Sequence, residues 1–305
     1  MLRYFVKRLG HAILVLLAVT ILVFLLVYLS GDPARALSPI DATEEDVENL
    51  RHQLGLDQPL YIQYFRFVQD ALHGDLGYSY KYRMPAMSMA LQRLPATLIL
   101  ALASFTITVG ISIPLGIFAA SRRDSFAEPF VNILCLLTIS TPTFWLGLLL
   151  ILVFAEYLRW LPASGRGGLQ NLVMPAVTLG AYSIGLTTKM VVTTTSAELG
   201  RGYVTTARSK GLKEQVIYSR HILKNMLIPV VTVLGLQLGA FLGGTTIVEV
   251  VFAWPGIGWL MMQAINSRDL PLIRAVVLIM GVFFTVINLA VDLSYCYLEP
   301  RIRYE

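Results

Sequence analysis

Few side chains in this sequence are placed to do covalent chemistry. Four histidines, His11, His52, His73 and His221, lack the spacing of metal ligands, so no stable metal site is expected. Cys135 and Cys296 lie inside apolar stretches and read as inert packing thiols rather than a disulfide framework. The chain has no Gly-x-x-x-x-Gly-Lys-Ser/Thr phosphate loop, no His-Glu-x-x-His and no Gly-x-Ser-x-Gly. No catalytic residue is nominated, and any nucleotide chemistry must belong to another polypeptide. What remains are ionisable groups within apolar runs, each costing about 2.5–3.5 kcal/mol at mid-membrane depth. Lys189 and Arg274 stand near the ends of their runs and can snorkel. Asp292 is placed to pair with a basic residue of the loop 195–225. Glu249 precedes Phe252-Ala253-Trp254-Pro255-Gly256, where the chain must turn, and an acid there can satisfy the turn's backbone donors.

The elements carrying these groups follow from composition. The chain has 305 residues, 56% hydrophobic and 14% charged, with mean hydropathy +0.66. A globular chain carries about 25% charged residues, so a soluble two-domain enzyme, a disordered tail and a secreted disulfide scaffold are excluded. Six apolar runs, 12–29, 97–120, 131–155, 172–194, 226–248 and 272–296, each suffice to cross hydrocarbon as a helix. The first is longer than a signal-peptide core and reads as a retained anchor. Pro95, Pro129 and Pro271 precede runs and suit helix starts; Pro114, Pro142 and Pro175 fall inside runs and predict kinks. Six spans put both termini on one side. Arg3, Lys7, Arg8, Arg122, Arg123, Arg201, Arg208, Lys210, Lys213, Arg220, Lys224, Arg301 and Arg303 collect there, against Arg159, Arg166 and Arg268 in the short opposite loops. The positive-inside rule then makes both termini cytoplasmic. The net charge of +5 reflects this sorting, and no nucleic-acid partner is expected.

Two polar segments carry folding signals of their own. In the insertion 31–96, Thr43 precedes Glu44, Glu45 and Asp46, a helix cap with acids in the first turn. Val47, Leu50 and Leu54 share a face before Gly55; after Asp57 and Pro59, a second amphipathic stretch carries Leu60, Tyr64, Phe67, Val68 and Ala71 to Gly74. This small helical cap reads either as a plug or as a docking surface for an external partner. In the loop 195–225, Val204, Ala207 and Tyr203 share a face with Arg208 and Lys210 turned elsewhere, Gly211 breaks the helix, and Val216, Ile217 and Ile222 begin another. That pattern presents a knob at the membrane surface. In the fifth run, Gly235, Gly239 and Gly243 recur every four residues, spacing that permits close helix contact or leaves room for a bulky solute.

Tyr203-Val204-Thr205-Thr206-Ala207-Arg208-Ser209-Lys210-Gly211 resembles the coupling-loop motif of bacterial ABC importer permeases, specifically the branch importing dipeptides, oligopeptides, glutathione and nickel complexes. Gly31-Asp32-Pro33, Leu54-Gly55-Leu56-Asp57-Gln58-Pro59-Leu60, Trp160-Leu161-Pro162, Met174-Pro175, Glu249 to Gly258 and Glu299-Pro300-Arg301-Ile302-Arg303-Tyr304 are similar to that branch in the same order, over almost the whole chain. The chain departs from the wider superfamily in Thr205-Thr206-Ala207, where Glu-Ala-Ala is usual, and in the late placing of Ile228-Pro229. Both departures are common in the peptide/nickel branch.

The resemblance implies an all-α polytopic protein of six transmembrane helices with the type I ABC importer permease fold and a small external helical insertion. Its parts would be a terminus and first helix over 1–30, the insertion 31–96, a five-helix core over 97–296 with the coupling loop 195–225, and a cytoplasmic end over 297–305. Implied partners are a second permease subunit, most simply a paralogue, two ATP-binding subunits holding ATP and Mg, an extracytoplasmic binding protein and the lipid bilayer of the bacterial inner membrane. No cofactor is expected on this chain. Tyr203, Thr205, Ala207, Arg208, Lys210 and Gly211 would couple to the ATPases. Gln237 and Thr245 are candidate pathway groups, and Glu249 has a second reading as a gate or contact to a substrate amine. Di- and oligopeptides are the expected cargo, with nickel chelates or glutathione as alternatives. An ion-driven secondary transporter would need an intramembrane ion site or internal repeats, and neither is evident.

Overall fold

In hydrocarbon the backbone must satisfy its own N–H and C=O groups, and helices do so locally. A computed structural model of the protein describes residues 2–29, 34–35, 38, 42–53, 55–122 and 125–298, with the side chains of all these except 2–5, 26–29, 228, 242 and 292–298. The elements are α1 (Leu2–Leu29), α2 (Glu44–Gln53), α3 (Leu60–Leu72), α4 (Ala86–Ser121), α5 (Ala127–Ser140) and α6 (Thr143–Leu150), the last continuing as a π-helix over Ile151–Tyr157. Then come α7 (Leu169–Leu199), α8 (Gly202–Ser209), α9 (Glu214–Val216) with a π-helical Ile217–Ile222, α10 (Leu223–Val251), α11 (Ile257–Asn266) and α12 (Leu270–Leu298). An isolated bridge between Tyr78 and Pro85 is the sole β pairing among the described residues. Gly31 to Pro33, Leu54, Arg123 and the ending 299–305 lie outside the described residues, as do the side chains of Asp292 and Cys296.

The six runs become helices of three kinds. Val6–Leu25 of α1, all of α4 and Leu270–Val291 of α12 are each long and apolar enough to cross a membrane. The third run is a broken pair that turns through 106° between α5 and α6, and the fifth bends by 51° at Pro229. Pro142 therefore does more than kink its run. Thr141 before it is extended at φ −83 and ψ 124, the conformation a following proline favours, and α5 ends there. Pro114 and Pro175 instead sit inside continuous helices. Pro95 also falls inside one, because α4 begins at Ala86, ahead of the expected start at 97. The fourth run is α7, 31 residues long but less apolar than the others, carrying buried Thr178, Ser183, Thr187, Thr188, Thr195 and Ser196. Its polar side chains are tolerable because α7 lies inside the bundle.

Small residues bring α7 close to its neighbours. A Cβ on Gly116 of α4 would stand 2.5 Å from Val191, and one on Gly180 would stand 3.0 Å from the Thr108 hydroxyl. Ser112 Oγ donates to the Ile184 carbonyl across the same seam at 3.2 Å. On the other side, a Cβ at Gly185 would strike Thr138 and come within 2.8 Å of the Cys135 carbonyl of α5. Gly185→Val should cost about 1–3 kcal/mol by overpacking. The unfolding midpoint of the purified chain in detergent should fall, while Gly110→Ala, which meets nothing within 4 Å, should not lower it.

The insertion joins the bundle at one end. Thr43 and Asp46 form a reciprocal capping box, with the Asp46 amide donating to Thr43 Oγ1 at 3.2 Å and the Thr43 amide to Asp46 Oδ2 at 3.0 Å. The Thr43 hydroxyl, donating to Asp46 Oδ2 at 2.7 Å, and then the Thr43 amide hold the Asp46 carboxyl below the usual carboxylate range. Phe67 and Leu76 enter a core with Val23, Leu94, Ile257, Leu260, Leu272 and Val276, which joins the insertion to α1, α4, α11 and α12. Asp269 is buried and acts twice: Oδ1 accepts from the Leu272 amide at 3.3 Å, capping α12, while Oδ2 accepts from the Ser79 hydroxyl and the Lys81 amide.

Candidate functional site

Two constellations stand at opposite ends of the bundle. At the end away from the insertion, α7 stops at Leu199 and the chain turns into α8. Val204 and Ala207, three apart and so on one helical face, are buried with Ile217 and Ile222, flanked by Leu199, Tyr203 and Tyr218. α8 ends in a Schellman turn: the Gly211 amide donates to the Arg208 carbonyl at 2.9 Å and the Leu212 amide to the Ala207 carbonyl at 3.3 Å. Gly211 has φ +73, a conformation that costs glycine nothing. Across the turn, Arg208 Nε and Nη2 donate to Glu214 Oε1 and Oε2 at 2.7 and 3.2 Å.

Glu198, at the end of α7, ties this loop to the bundle. Its side chain is only 10% exposed, and Oε1 pairs with Arg201 Nε at 2.9 Å. Oε2 accepts from the Tyr203 hydroxyl at 2.7 Å and from Asn225 Nδ2 at 3.3 Å. One carboxylate thus joins α7, α8 and α10. Burial, then the bond to Glu198, raises the Tyr203 phenol above its ordinary pKa.

The Arg208 bond holds the Glu214 carboxyl below the usual carboxylate range. A depressed pKa contributes stability that is present above the unfolded value and is lost as pH falls through the folded one. Both side chains are exposed, so the contribution is small. Protection of the 208–216 amides against hydrogen exchange should therefore hold at neutral pH and decline only in acid. Glu214→Gln should remove that acid dependence.

At the insertion end, α10 runs into Phe252-Ala253-Trp254-Pro255-Gly256 and returns as α11. Ala253 takes φ +46, and the Trp254 amide donates to the Glu249 carbonyl at 2.8 Å. The Glu249 side chain is fully buried. Oε1 accepts from Thr97 Oγ1 of α4 at 2.7 Å, and Oε2 accepts from the Trp259 amide in the first turn of α11 at 2.9 Å. Gly258 and Thr245 lie beside this carboxyl. Thr97 Oγ1 accepts in turn from the Ile257 amide at 2.8 Å, and Trp254 Nε1 donates to the Ala96 carbonyl at 2.9 Å. A carboxylate seated on helix-start amides meets orphan donors and the favourable end of the helix dipole. Gly256 makes room for it, since a Cβ there would overlap the carboxyl.

This loop-and-bundle plan invites comparison with known proteins. Residues 112–304 match the family described as binding-protein-dependent transport system inner membrane component, and residues 1–101 match the model for the N-terminal part of such membrane components. The chain belongs to that family. It is a permease subunit of an ABC importer, a multi-pass protein of the inner membrane. Among similar proteins, one of Brucella abortus strain 2308 bears a name for a peptide transport system permease and is 39% identical over 308 residues, covering 98% of each chain. The glutathione transport system permease GsiC of Escherichia coli K12 is 40% identical over 306 residues, covering 100% of both. The MetNI methionine ABC transporter in an inward-facing conformation shares the fold, with TM-score 0.56 and 18% identity over 70% of this chain and 97% of that one.

Within this permease the nominated residues separate by position. Thr205, Arg208 and Lys210 are exposed on the loop, whereas Ala207 is buried and Tyr203 half-buried, so these two hold α8 in place. Glu198 and Glu214 were missed; the signal available was an acid ending a long helix three residues before Arg201. Gln237 Oε1 accepts from Thr187 Oγ1 at 3.2 Å, and Thr245 is fully buried beside Glu249. Both face protein. The glycine repeat splits: a Cβ on Gly239 would meet Asn288 of α12 at 2.7 Å, while one on Gly243 would meet nothing within 4 Å. Gly235 is half-buried. Lys189 is exposed, in keeping with snorkelling; Arg274 is half-buried, its guanidinium 5.9 Å from the Phe67 ring. Among the described residues no three His, Cys, Asp or Glu side chains group as metal ligands.

Proposed function

We propose that this permease forms half of a translocation pathway for di- and oligopeptides, paired with a second, similar permease and driven by two ATP-binding subunits that grip α8 and the turn after it. An extracytoplasmic binding protein delivers the cargo to the insertion side, and both termini are cytoplasmic. The observation that carries this reading is the construction of the loop: a short helix packed on its own hydrophobic footing, stapled to α7 and α10 through Glu198. Such a knob transmits displacement to the bundle instead of absorbing it. Thr205, Lys210, Leu212 and Val216 are exposed around it and available to a partner's groove. The excess of Lys and Arg at the same end supports its cytoplasmic placement.

The peptide reading is supported by the name of the Brucella relative, for peptide transport, whereas that of the Escherichia coli relative supports the glutathione alternative. An ion-driven transporter has less support. The buried carboxyls of Glu249 and Asp269 are each occupied with backbone amides at a helix start.

The test is reconstitution of the permease with its partner permease, ATPases and binding protein in liposomes. Binding protein loaded with labelled peptide should drive ATP-dependent uptake, and the ligand retained by the binding protein on purification should be a peptide. Uptake without ATP, under an ion gradient alone, would refute the importer mechanism. A retained nickel chelate or glutathione would reassign the cargo.

A further inference from the structure

We propose that α3 is an interfacial helix, seated in the bilayer leaflet on the insertion side and not held in water above it. The first observation is depth. Thr20 Oγ1 of α1 and the Tyr64 hydroxyl of α3 hydrogen-bond at 2.9 Å. Thr20 lies inside the apolar window Val6–Leu25, roughly 7 Å from its end by helix rise. The ring of Phe24, also within that window, stands 5.6 Å from Tyr64 and 6.2 Å from Phe67.

The second observation is the distribution of side chains around α3. Passing from Phe67 through Tyr64, helical geometry leads next to Val68, Tyr61, Leu72 and Phe65. Passing the other way, it leads to Gln63, Asp70 and Arg66. Phe67 meets α1 at Phe24, and Tyr64 meets it at Phe24 and at the deeper Thr20, so the first direction points towards mid-membrane. That flank exposes Tyr61 at 64%, Phe65 at 68% and Leu72 at 82%. The opposite flank places Arg66 and Asp70 on a cavity shared with Asp75, Tyr80 and Arg274. Beside the apolar flank, α1 itself exposes Leu17, Ile21 and Leu25, a surface that belongs to lipid in a spanning helix.

Lipid is the occupant these observations favour, because the bare flank is continuous with that surface and lies below the end of the span. An apolar flank with aromatic residues at the headgroup level and a charged flank turned to water is the pattern of a helix lying in an interface. α3 then fixes the depth and tilt of α1, to which it is bonded, as a float fixes a mooring line.

The assembled importer in lipid nanodiscs provides the test, with Cys135→Ala and Cys296→Ser as background. Nitroxides are attached singly at Phe65→Cys, Leu72→Cys and Asp70→Cys, the last on the flank away from the bilayer. Collision with oxygen should exceed collision with a water-soluble nickel chelate severalfold at 65 and 72, and the ratio should reverse at 70. Equal, water-like access at all three positions would overturn the proposal. So would labels at 65 and 72 shielded from both reagents, which would mean that another protein covers the flank.

Discussion

Glu249→Ala should be the most damaging single truncation in this permease. It removes the acceptor for the buried Thr97 hydroxyl and for the part-buried Trp259 amide. An orphaned buried donor costs about 1–3 kcal/mol and the part-buried one less, so a loss of about 2–5 kcal/mol is expected. The damage should spread beyond α10, because Thr97 carries α4 and the Ile257 and Trp259 amides carry α11. Glu249→Gln should be milder but not silent. Its amide retains one acceptor oxygen, yet turns an NH2 donor towards other donors. Gly256 supplies the control. Gly256→Ala alone should destabilise, since the new Cβ overlaps the Glu249 carboxyl. In the Glu249→Ala background that overlap is gone, so the two effects should be less than additive. Unfolding midpoints of the four proteins in one detergent, with tryptophan emission reporting on buried Trp254, decide the matter. A wild-type midpoint for Glu249→Ala would show that the carboxylate does not hold the turn, and would return Glu249 to consideration as a gate.

Gly211→Pro should uncouple the importer while leaving the bundle folded. Proline fixes φ near about −65° and has no amide hydrogen. Gly211 takes φ +73 and donates to the Arg208 carbonyl, so neither the turn nor its hydrogen bond survives. Losing the turn separates Arg208 from Glu214 and frees α8 to move against Ile217 and Ile222. In the reconstituted complex, substrate-stimulated ATP hydrolysis should fall to the basal rate, or the ATPases should fail to co-purify. Gly211→Ala separates strain from bulk. Nothing lies within 4 Å of the added Cβ, so its cost is backbone strain alone, about 1 kcal/mol, and much of the stimulation should remain. Full stimulation in Gly211→Pro would dissociate this turn from coupling.

Legibility differed from residue to residue for reasons of range. The capping box at Thr43 and Asp46 and the turn at Gly211 depend on residues within a few positions, and both could be read directly. Glu249 could be placed beside a turn, but not on its partners, since Thr97 is 152 positions away. The start of α4 at Ala86 was hidden because Gln92, Arg93 and Pro95 interrupt the apolar run, while Ala86, Ala90 and Leu94 are held by the core shared with the insertion. α7 shows the converse: as the least apolar of the runs it looks the weakest span, yet it occupies the middle of the bundle, where threonine and serine meet protein. Glu198 was overlooked because an acid at a helix end reads as solvated until Tyr203 and Asn225 are brought to it.

Taken alone, the sequence determined that the chain is a membrane protein, which stretches are helical, and that a glycine turn interrupts a basic loop. These depend on hydrophobicity, hydrogen bonding and backbone freedom, all local quantities. Only the tertiary structure decided which polar groups are joined: Glu249 to α4 and α11, Glu198 to α8 and α10, Asp269 to the insertion. Burying a polar group costs free energy unless it is hydrogen-bonded, and the partner's position in space is set by the packing of every helix between them.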